Sequence, residues 1–209
     1  MKKNILIIFV VVAAVVFAAW GPVVSMVEQA KYDVVEKQGR IELRDYAPHI
    51  VAETQVTGPR KEAISNGFRA IAGYIFGDNV SAEKVAMTAP VIQQPSEKIA
   101  MTAPVIQQGT GNGPWTVQFV MPSGYTMQTL PKPKNDAVKL REVAGKRYAA
   151  IRFSGMAKDD DLQKQTEALM AYVVGKNLKP LGEPTYAFFN PPWTLPFLRR
   201  NEVMIEVTK

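Results

Sequence analysis

The chain has no cysteine and a single histidine, His49, among 209 residues. The first absence excludes disulfides, thiolate zinc sites, iron–sulfur clusters and a cysteine nucleophile. The second excludes any multi-histidine metal site, and a Ser-His-Asp triad would have to use His49. Charge of one sign is not concentrated. Lys+Arg 25 against Asp+Glu 19 gives +6, and without Lys2 and Lys3 the remainder carries 23 minus 19, or +4. A basic stripe of the kind nucleic-acid binders carry is missing, so no nucleic-acid partner is expected. No long polar linker interrupts residues 31–209, which read as one folded unit. A composition of 47% hydrophobic and 21% charged residues excludes a disordered chain.

Charge is also absent between Lys3 and Glu28. Residues 4–27 would span about 36 Å as a helix, against a hydrocarbon core of about 30 Å. We therefore expect residues 1–28 to be a membrane anchor or signal segment and residues 29–209 to form the folded domain. Trp20 and Pro22 crowd a processing site, which favours an uncleaved signal-anchor, with Trp20 at the interface. Lys2 and Lys3 favour an N-terminus inside. The domain then lies outside the cytoplasm, on the periplasmic side if the source is bacterial. Secretion after cleavage is the alternative.

Along the domain, residues 32–37 and 40–46 read as two strands around a Gly39 turn, and 49–56 as a third. Thr57-Gly58-Pro59 opens a helix, with Pro59 suited to its first position. Ile64, Phe68, Ile71 and Ile75 fall on one apolar face, and Gly77-Asp78-Asn79 ends it. A second cycle follows. Residues 115–121 form a strand, 131–135 a loop, and 138–143 with 146–154 a hairpin around Ala144-Gly145. Asp159-Asp160-Asp161 starts a second helix with Leu162, Leu169 and Val173 inward. Residues 183–190 and 201–207 are the closing strands.

The two cycles are related. Residues 41–58 align without gaps on 138–155 at an offset of 97, with Leu43/Leu140, Arg44/Arg141, Ala47/Ala144, Ala52/Ala149 and Gly58/Gly155 identical. The shared order of elements points to an internal duplication. Paired strands plus one helix per half imply an α+β fold, an antiparallel sheet with two helices packed on it. A second repeat is short: residues 83–94 recur as 97–108, differing only at Val85/Ile99. Pro90 and Pro104 suit edge positions in these extended segments.

Few groups suggest chemistry. The Gly-rich stretch 109–114 precedes a strand instead of a helix N-terminus and reads as a loop. The three aspartates suit a helix start better than a metal. His49 is the one nitrogen available to a metal; the plain reading is an exposed turn residue, and its repeat counterpart is Lys146. Met87 and Met101 are soft ligands or, more simply, core gap-fillers. Arg60, Lys61 and Arg69 lie on or near the other faces of the first helix, where they suit ligand carboxylates or solvent. Residues 190–200 set large apolar side chains between prolines, followed by Arg199-Arg200. A lid over a ligand, a membrane contact and a packed loop are the three readings.

The runs YDVVEKQGRIELRDYAPHIVAET, GYIFGDN, EKIAMTAPV and FFNPPWTLPFLRRNEVMIEV resemble the SOUL haem-binding protein family over about residues 31–209. The resemblance implies a distorted antiparallel β-barrel or sheet with two helices, built as pseudo-duplicated halves. It implies non-covalent binding of haem or a related tetrapyrrole in an apolar groove beside the first helix. On this chain Ile64, Phe68 and Ile71 would lie under the macrocycle, with Arg60 and Arg69 at its propionates. His49 is the candidate for the iron. The expected partners are the tetrapyrrole and, through the N-terminal helix, a membrane. No enzymatic activity is expected. An interaction or effector-binding module on the same scaffold is the alternative, and a tetrapyrrole-handling enzyme is the third reading.

Overall fold

A computed structural model describes residues 27–81, 96–109, 111 and 113–208. The apolar leader up to residue 26 and the first copy of the short repeat, Met87 included, lie outside the described residues. The elements in chain order are β1 (Glu28–Gln29), β2 (Tyr32–Gln38), β3 (Ile41–Tyr46), β4 (His49–Val56), α1 (Arg60–Ile75), β5 (Asn79–Val80), β6 (Thr102–Ala103), β7 (Val105–Gln108) and β8 (Trp115–Val120). They continue with β9 (Lys132–Pro133), β10 (Lys139–Val143), β11 (Arg147–Phe153), α2 (Asp159–Gly175), β12 (Thr185–Phe188) and β13 (Asn201–Val207). Strand alternation is plain in β8, where Trp115, Val117 and Phe119 are buried and the residues between them less so.

Nine strands form one antiparallel sheet in the order β10-β4-β8-β7-β12-β13-β11-β3-β2. Both helices lie on one of its faces. Ile71, Tyr74 and Ile75 of α1 pack with Ala52, Val117 and Phe119, and Leu162, Leu169 and Val173 of α2 pack with Ala149, Val203 and Ile205. The order is symmetric about the β7–β12 pair: β10-β4-β8-β7 on one side matches β3-β11-β13-β12 on the other. The pseudo-duplicated α+β fold is therefore present. The barrel expectation is corrected, because edge strands β10 and β2 do not pair and the sheet stays open.

The expected hairpin of residues 138–154 is also corrected. β10 and β11 do not pair with each other. Instead β10 pairs with β4, and β11 pairs with β3, so each half lends its first strand to the other. The registers obey the repeat. Leu140 faces Ala52 and Ala149 faces Leu43, the same pair after adding 97 to one member and subtracting it from the other. The physical reason is the curl of the sheet. Only Ala47-Pro48 joins β3 to β4, although these strands are far apart in the sheet order, so the sheet bends its helix-free face inward. At that bend Tyr46 N–H donates to Lys146 O at 2.9 Å, and a Cβ on Gly145 would stand 3.0 Å from Tyr46 O.

The rotation of α1 differs from the expected face. Its buried residues are Ala63, Gly67, Ile71, Tyr74 and Ile75, and Phe68 is 38% exposed. Small side chains win the contact because they let the helix approach closely. A Cβ on Gly67 would lie 2.6 Å from Val117 Cβ. Pro59 is the residue before the helix, not its first position, and its carbonyl accepts from Glu62 and Ala63 N–H.

Candidate functional site

Along the flank of α1, Ile64, Phe68 and Ala72 and, just after the helix, Phe76 recur every four residues. Ile64 and Ala72 are half-buried, and Phe68 and Phe76 are exposed at 38% and 57%. Successive members of an i, i+4 row are neighbours on the helix surface, and the row winds by about 40° per step while twelve residues extend it about 18 Å. The Phe68 ring leans on the buried Phe119 ring, with centroids 5.4 Å apart and planes tilted by 55°. Arg69, next to Phe68, is exposed and, among the described residues, its side chain makes only a long 3.4 Å contact with Asn66 Oδ1.

The other residues expected at this site are placed differently. Ile71 is fully buried in the core beneath α1. Arg60 Nε donates to Asp159 Oδ1 at 2.5 Å and Arg60 NH2 donates to Ala157 O at 3.1 Å, tying the first turn of α1 to the first turn of α2. Gln107 Nε2 donates to Arg60 O at 2.9 Å, which seats this junction over β7. Asp161 accepts from Lys158 N–H at 3.2 Å, so two of the three aspartates serve the helix start and the junction.

The loop between β12 and β13 stands at the same end of the sheet as Phe68. Phe119 pairs with Val105, Val105 with Phe188, and Phe188 leads into the loop. The loop is held from within. Arg199 Nε donates to Thr194 O at 2.7 Å, its NH2 donates to Pro192 O at 2.5 Å, and Thr194 N–H donates to Pro191 O at 3.0 Å. Gly155 N–H donates to Pro196 O at 2.9 Å. The packed-loop reading is not met, since Trp193 and Phe197 are exposed at 62% and 71%.

His49 is on the opposite, helix-free face. Its Nδ1 donates to Ala47 O at 2.8 Å. With Tyr46, Tyr148, Gln118, Lys146 and Glu206 it lines a cleft of about 110 Å3 inside the curl of the sheet. Burial pushes the Tyr46 hydroxyl well above its ordinary value. Burial, with Glu206 nearby, pushes Tyr148 up to about 12. The floor beside the cleft is a buried ion network. Arg44 donates to both Glu202 oxygens at 2.6 and 3.1 Å, and Arg200 Nε donates to Glu202 Oε1 at 2.9 Å. The sheet thus separates His49 from Phe68 and Arg69.

Sequence reasoning named Ile64 and Phe68 for the ligand but grouped them with Ile71 and Ile75 on one face, and so missed Ala72 and Phe76; the four-residue spacing running on from Phe68 was the available signal. It also missed the Arg44–Glu202 pair. The alternation in β13 places Glu202, Met204 and Glu206 on one face, but no local pattern announces that Glu202 is buried. Among the described residues no group of three or more carboxylates or histidines is placed to hold a metal. No helix among them is long and apolar enough to cross a membrane.

A symmetric curled sheet with two helices on one face, an apolar flank and a helix-free cleft defines a ligand-binding scaffold. The family described as SOUL heme-binding protein matches residues 27–97 and 92–206. The chain belongs to that family, whose members bind haem non-covalently. A comparison with curated proteins gives no match. Among solved structures the chain resembles the EcmrR C-terminal domain, at 11% identity and a TM-score of 0.57, covering 85% of this chain and 98% of that one. It also resembles a chain of an EcmrR–DNA complex, at 11% identity and a TM-score of 0.57, covering 81% of this chain and 57% of that one. A hydrolase from Listeria innocua matches at 12% identity and a TM-score of 0.55, covering 83% and 94%. At these identities the likeness concerns the fold alone.

Proposed function

We propose that this chain binds haem or a related tetrapyrrole on the outer flank of α1. The macrocycle lies along Ile64, Phe68, Ala72 and Phe76, a propionate meets Arg69, and the loop carrying Trp193 and Phe197 stands at the open end of the groove. The observation that carries this reading is the exposed aromatic Phe68, held against Phe119 beside Arg69, a cation whose side chain makes only a long contact among the described residues. A flat apolar disc with two carboxylates needs an apolar slot and a cation at its rim. A charge-assisted hydrogen bond to a propionate contributes about 1.5–3 kcal/mol, roughly ten- to a hundredfold in affinity. Arg60 and Ile71, given to the helix junction and the core, support the site from below. With His49 behind the sheet, the ring is held by its faces and edge, not by this histidine.

The function is binding without catalysis. Titration of the purified chain with haem and with metal-free porphyrin tests it. Both rings bind with comparable affinity, Phe68→Asp abolishes binding without unfolding the protein, and His49→Ala leaves it intact. Failure of the metal-free ring together with loss on His49→Ala would show that iron coordination dominates.

The cleft on the helix-free face favours a second reading, an effector-binding module. An engineered cavity of about 150 Å3 holds a benzene, so about 110 Å3 suits a single ring and not a tetrapyrrole. Failure of both porphyrins to bind at micromolar concentration would turn the assignment to this face. We also propose that the apolar residues 4–27 hold the domain on a membrane, outside the cytoplasm. Alkaline carbonate then leaves the full chain with the membrane, and protease added outside digests the domain. A released protein lacking the leader would mean cleavage instead.

A further inference from the structure

The loop between β12 and β13 exposes Trp193, Leu195, Phe197 and Leu198 together. Met156, also exposed, joins them, since Arg199 Nη1 reaches its Sδ at 3.5 Å. Such a cluster of large apolar side chains exceeds the scattered exposure of an ordinary surface. The loop holds them outward because its polar groups are tied from within. The carbonyls of Pro191, Pro192, Thr194, Leu195 and Pro196 all accept hydrogen bonds, supplied by the Arg199 side chain and by the N–H groups of Thr194, Leu198 and Gly155. Pro191, Pro192 and Pro196 have no N–H to satisfy. Backbone paired in this way enters an apolar layer at little desolvation cost.

Residues 27–29, where the described chain starts, lie beside this loop. Val27 packs against Phe189, the residue before the loop, in the cluster that also holds Ala187 and Met204. Arg200, at the other stem, donates to Gln29 Oε1 at 3.2 Å and lies over the Phe189 ring at 3.8 Å. β1 pairs with β6, and Glu28 Oε1 accepts from Ser123 N–H at 2.8 Å, so this entry is fixed to the fold without a linker. Residues 4–26, immediately before it, carry no charge. Trp193 follows Phe189 by four residues and Phe197 precedes Arg200 by three. At most about 14 Å of chain therefore separates either side chain from its stem. The polar layer of a bilayer is roughly 5–8 Å deep on each side.

We propose that the β12–β13 loop docks on a bilayer surface, with Trp193 and Phe197 seated among the headgroups and the first acyl carbons. The proposal rests on the reading that residues 4–27 hold the domain on a membrane. That reading supplies a tether; the loop decides which end of the domain faces the lipid. Tryptophan suits this layer because its ring is apolar and its N–H stays wet. The exposed charges beside Met156, on Lys158, Asp159 and Asp160, are of both signs. Apolar contact therefore carries the docking, and lipid of no net charge suffices. The groove beside Phe68, at the same end of the sheet, then opens toward the membrane.

Quenching of tryptophan fluorescence by brominated phosphatidylcholine tests the proposal on the full-length chain reconstituted into vesicles. The chain has three tryptophans, Trp20, Trp115 and Trp193. Trp20→Phe with Trp115→Phe leaves Trp193 as the reporter. Adding Trp193→Phe and Lys179→Trp moves the reporter to the far end of β13, where Thr208 N–H donates to Lys179 O at 3.0 Å. Trp193 emission should shift to shorter wavelength in plain phosphatidylcholine vesicles and be lost in brominated ones, while the reporter at position 179 does neither. Phe197→Asp should relieve the quenching of Trp193 and leave the melting temperature in place, since Phe197 is exposed. Release of the chain from the vesicles by alkaline carbonate overturns the anchor reading and this proposal together. Retention with equal quenching at the two positions, complete or absent, overturns the docking alone.

Discussion

Gly67 rests on Val117, with no room for a single carbon between the helix and the strand: a Cβ at Gly67 would sit 2.6 Å from both Val117 Cβ and one of its methyls. This contact sets the rotation of α1. It turns Ala63 and Ile71 inward and leaves Ile64 and Phe68 on the flank. Gly67→Ala gains about 0.8–1 kcal/mol of helix propensity. It also overpacks a β-branched residue that cannot swing away, at about 1–3 kcal/mol. We expect a net loss of up to about 2 kcal/mol in urea unfolding, with haem affinity falling as α1 lifts and Phe68 leaves Phe119.

Arg60 and Arg69 separate by role. Arg60→Ala removes the tie to Asp159 and Ala157 and lowers the melting temperature, while haem affinity changes less than twofold. Arg69→Ala leaves the melting temperature in place and weakens haem binding about tenfold or more. Paired melts and titrations of the two variants check this. A reversed pattern would move the propionate site to the helix junction.

Glu202 is fully buried between Arg44 and Arg200. Removing one partner of such a group leaves buried charge uncompensated, at about 3–5 kcal/mol. Glu202→Ala should therefore be among the most destabilising single changes on the helix-free face. Replacing Arg44 and Glu202 together by methionine should cost less than Glu202→Ala alone. Denaturant unfolding of the three proteins makes the comparison.

Stability should fall on both sides of neutrality. A hydrogen bond from Lys37, helped by Arg44 against burial, holds Glu42 below its ordinary 4.5. Burial pulls Glu53 upward, but hydrogen bonds from Arg141 and Gln118 outweigh it and its value is also lowered. A lowered carboxylate contributes fully above about 4.5 and loses that contribution as pH falls through its folded value. Glu53→Gln should flatten the acid limb of a melting-temperature profile. On the alkaline side, burial raises Tyr46, Tyr74 and Tyr148, the last to about 12. Their contribution is full below the free phenol value of 10.0 and is lost as pH rises above it. Tyr148→Phe should reduce the alkaline loss.

The sequence by itself determined where the strands and helices run, that the chain is duplicated at an offset of 97, and that the inward face of α2 is Leu162, Leu169 and Val173. Those properties reside in local alternation, helical spacing and turn residues, which neighbours along the chain express without help. It also carried the family, through motifs spread over both halves. Tertiary structure alone decided which strands pair, because residues 138–154 have the local pattern of a hairpin, and only the curl of the sheet lets β10 reach β4 and β11 reach β3. It decided the face of α1, because Ala63 and Gly67 carry almost no hydrophobic signal, yet close approach favours them over the larger Ile64 and Phe68. It gave Arg60 to Asp159 across 99 residues, and buried Glu202 against Arg44 across 158. Partners so distant are set by packing between the two halves, and no window of sequence contains both.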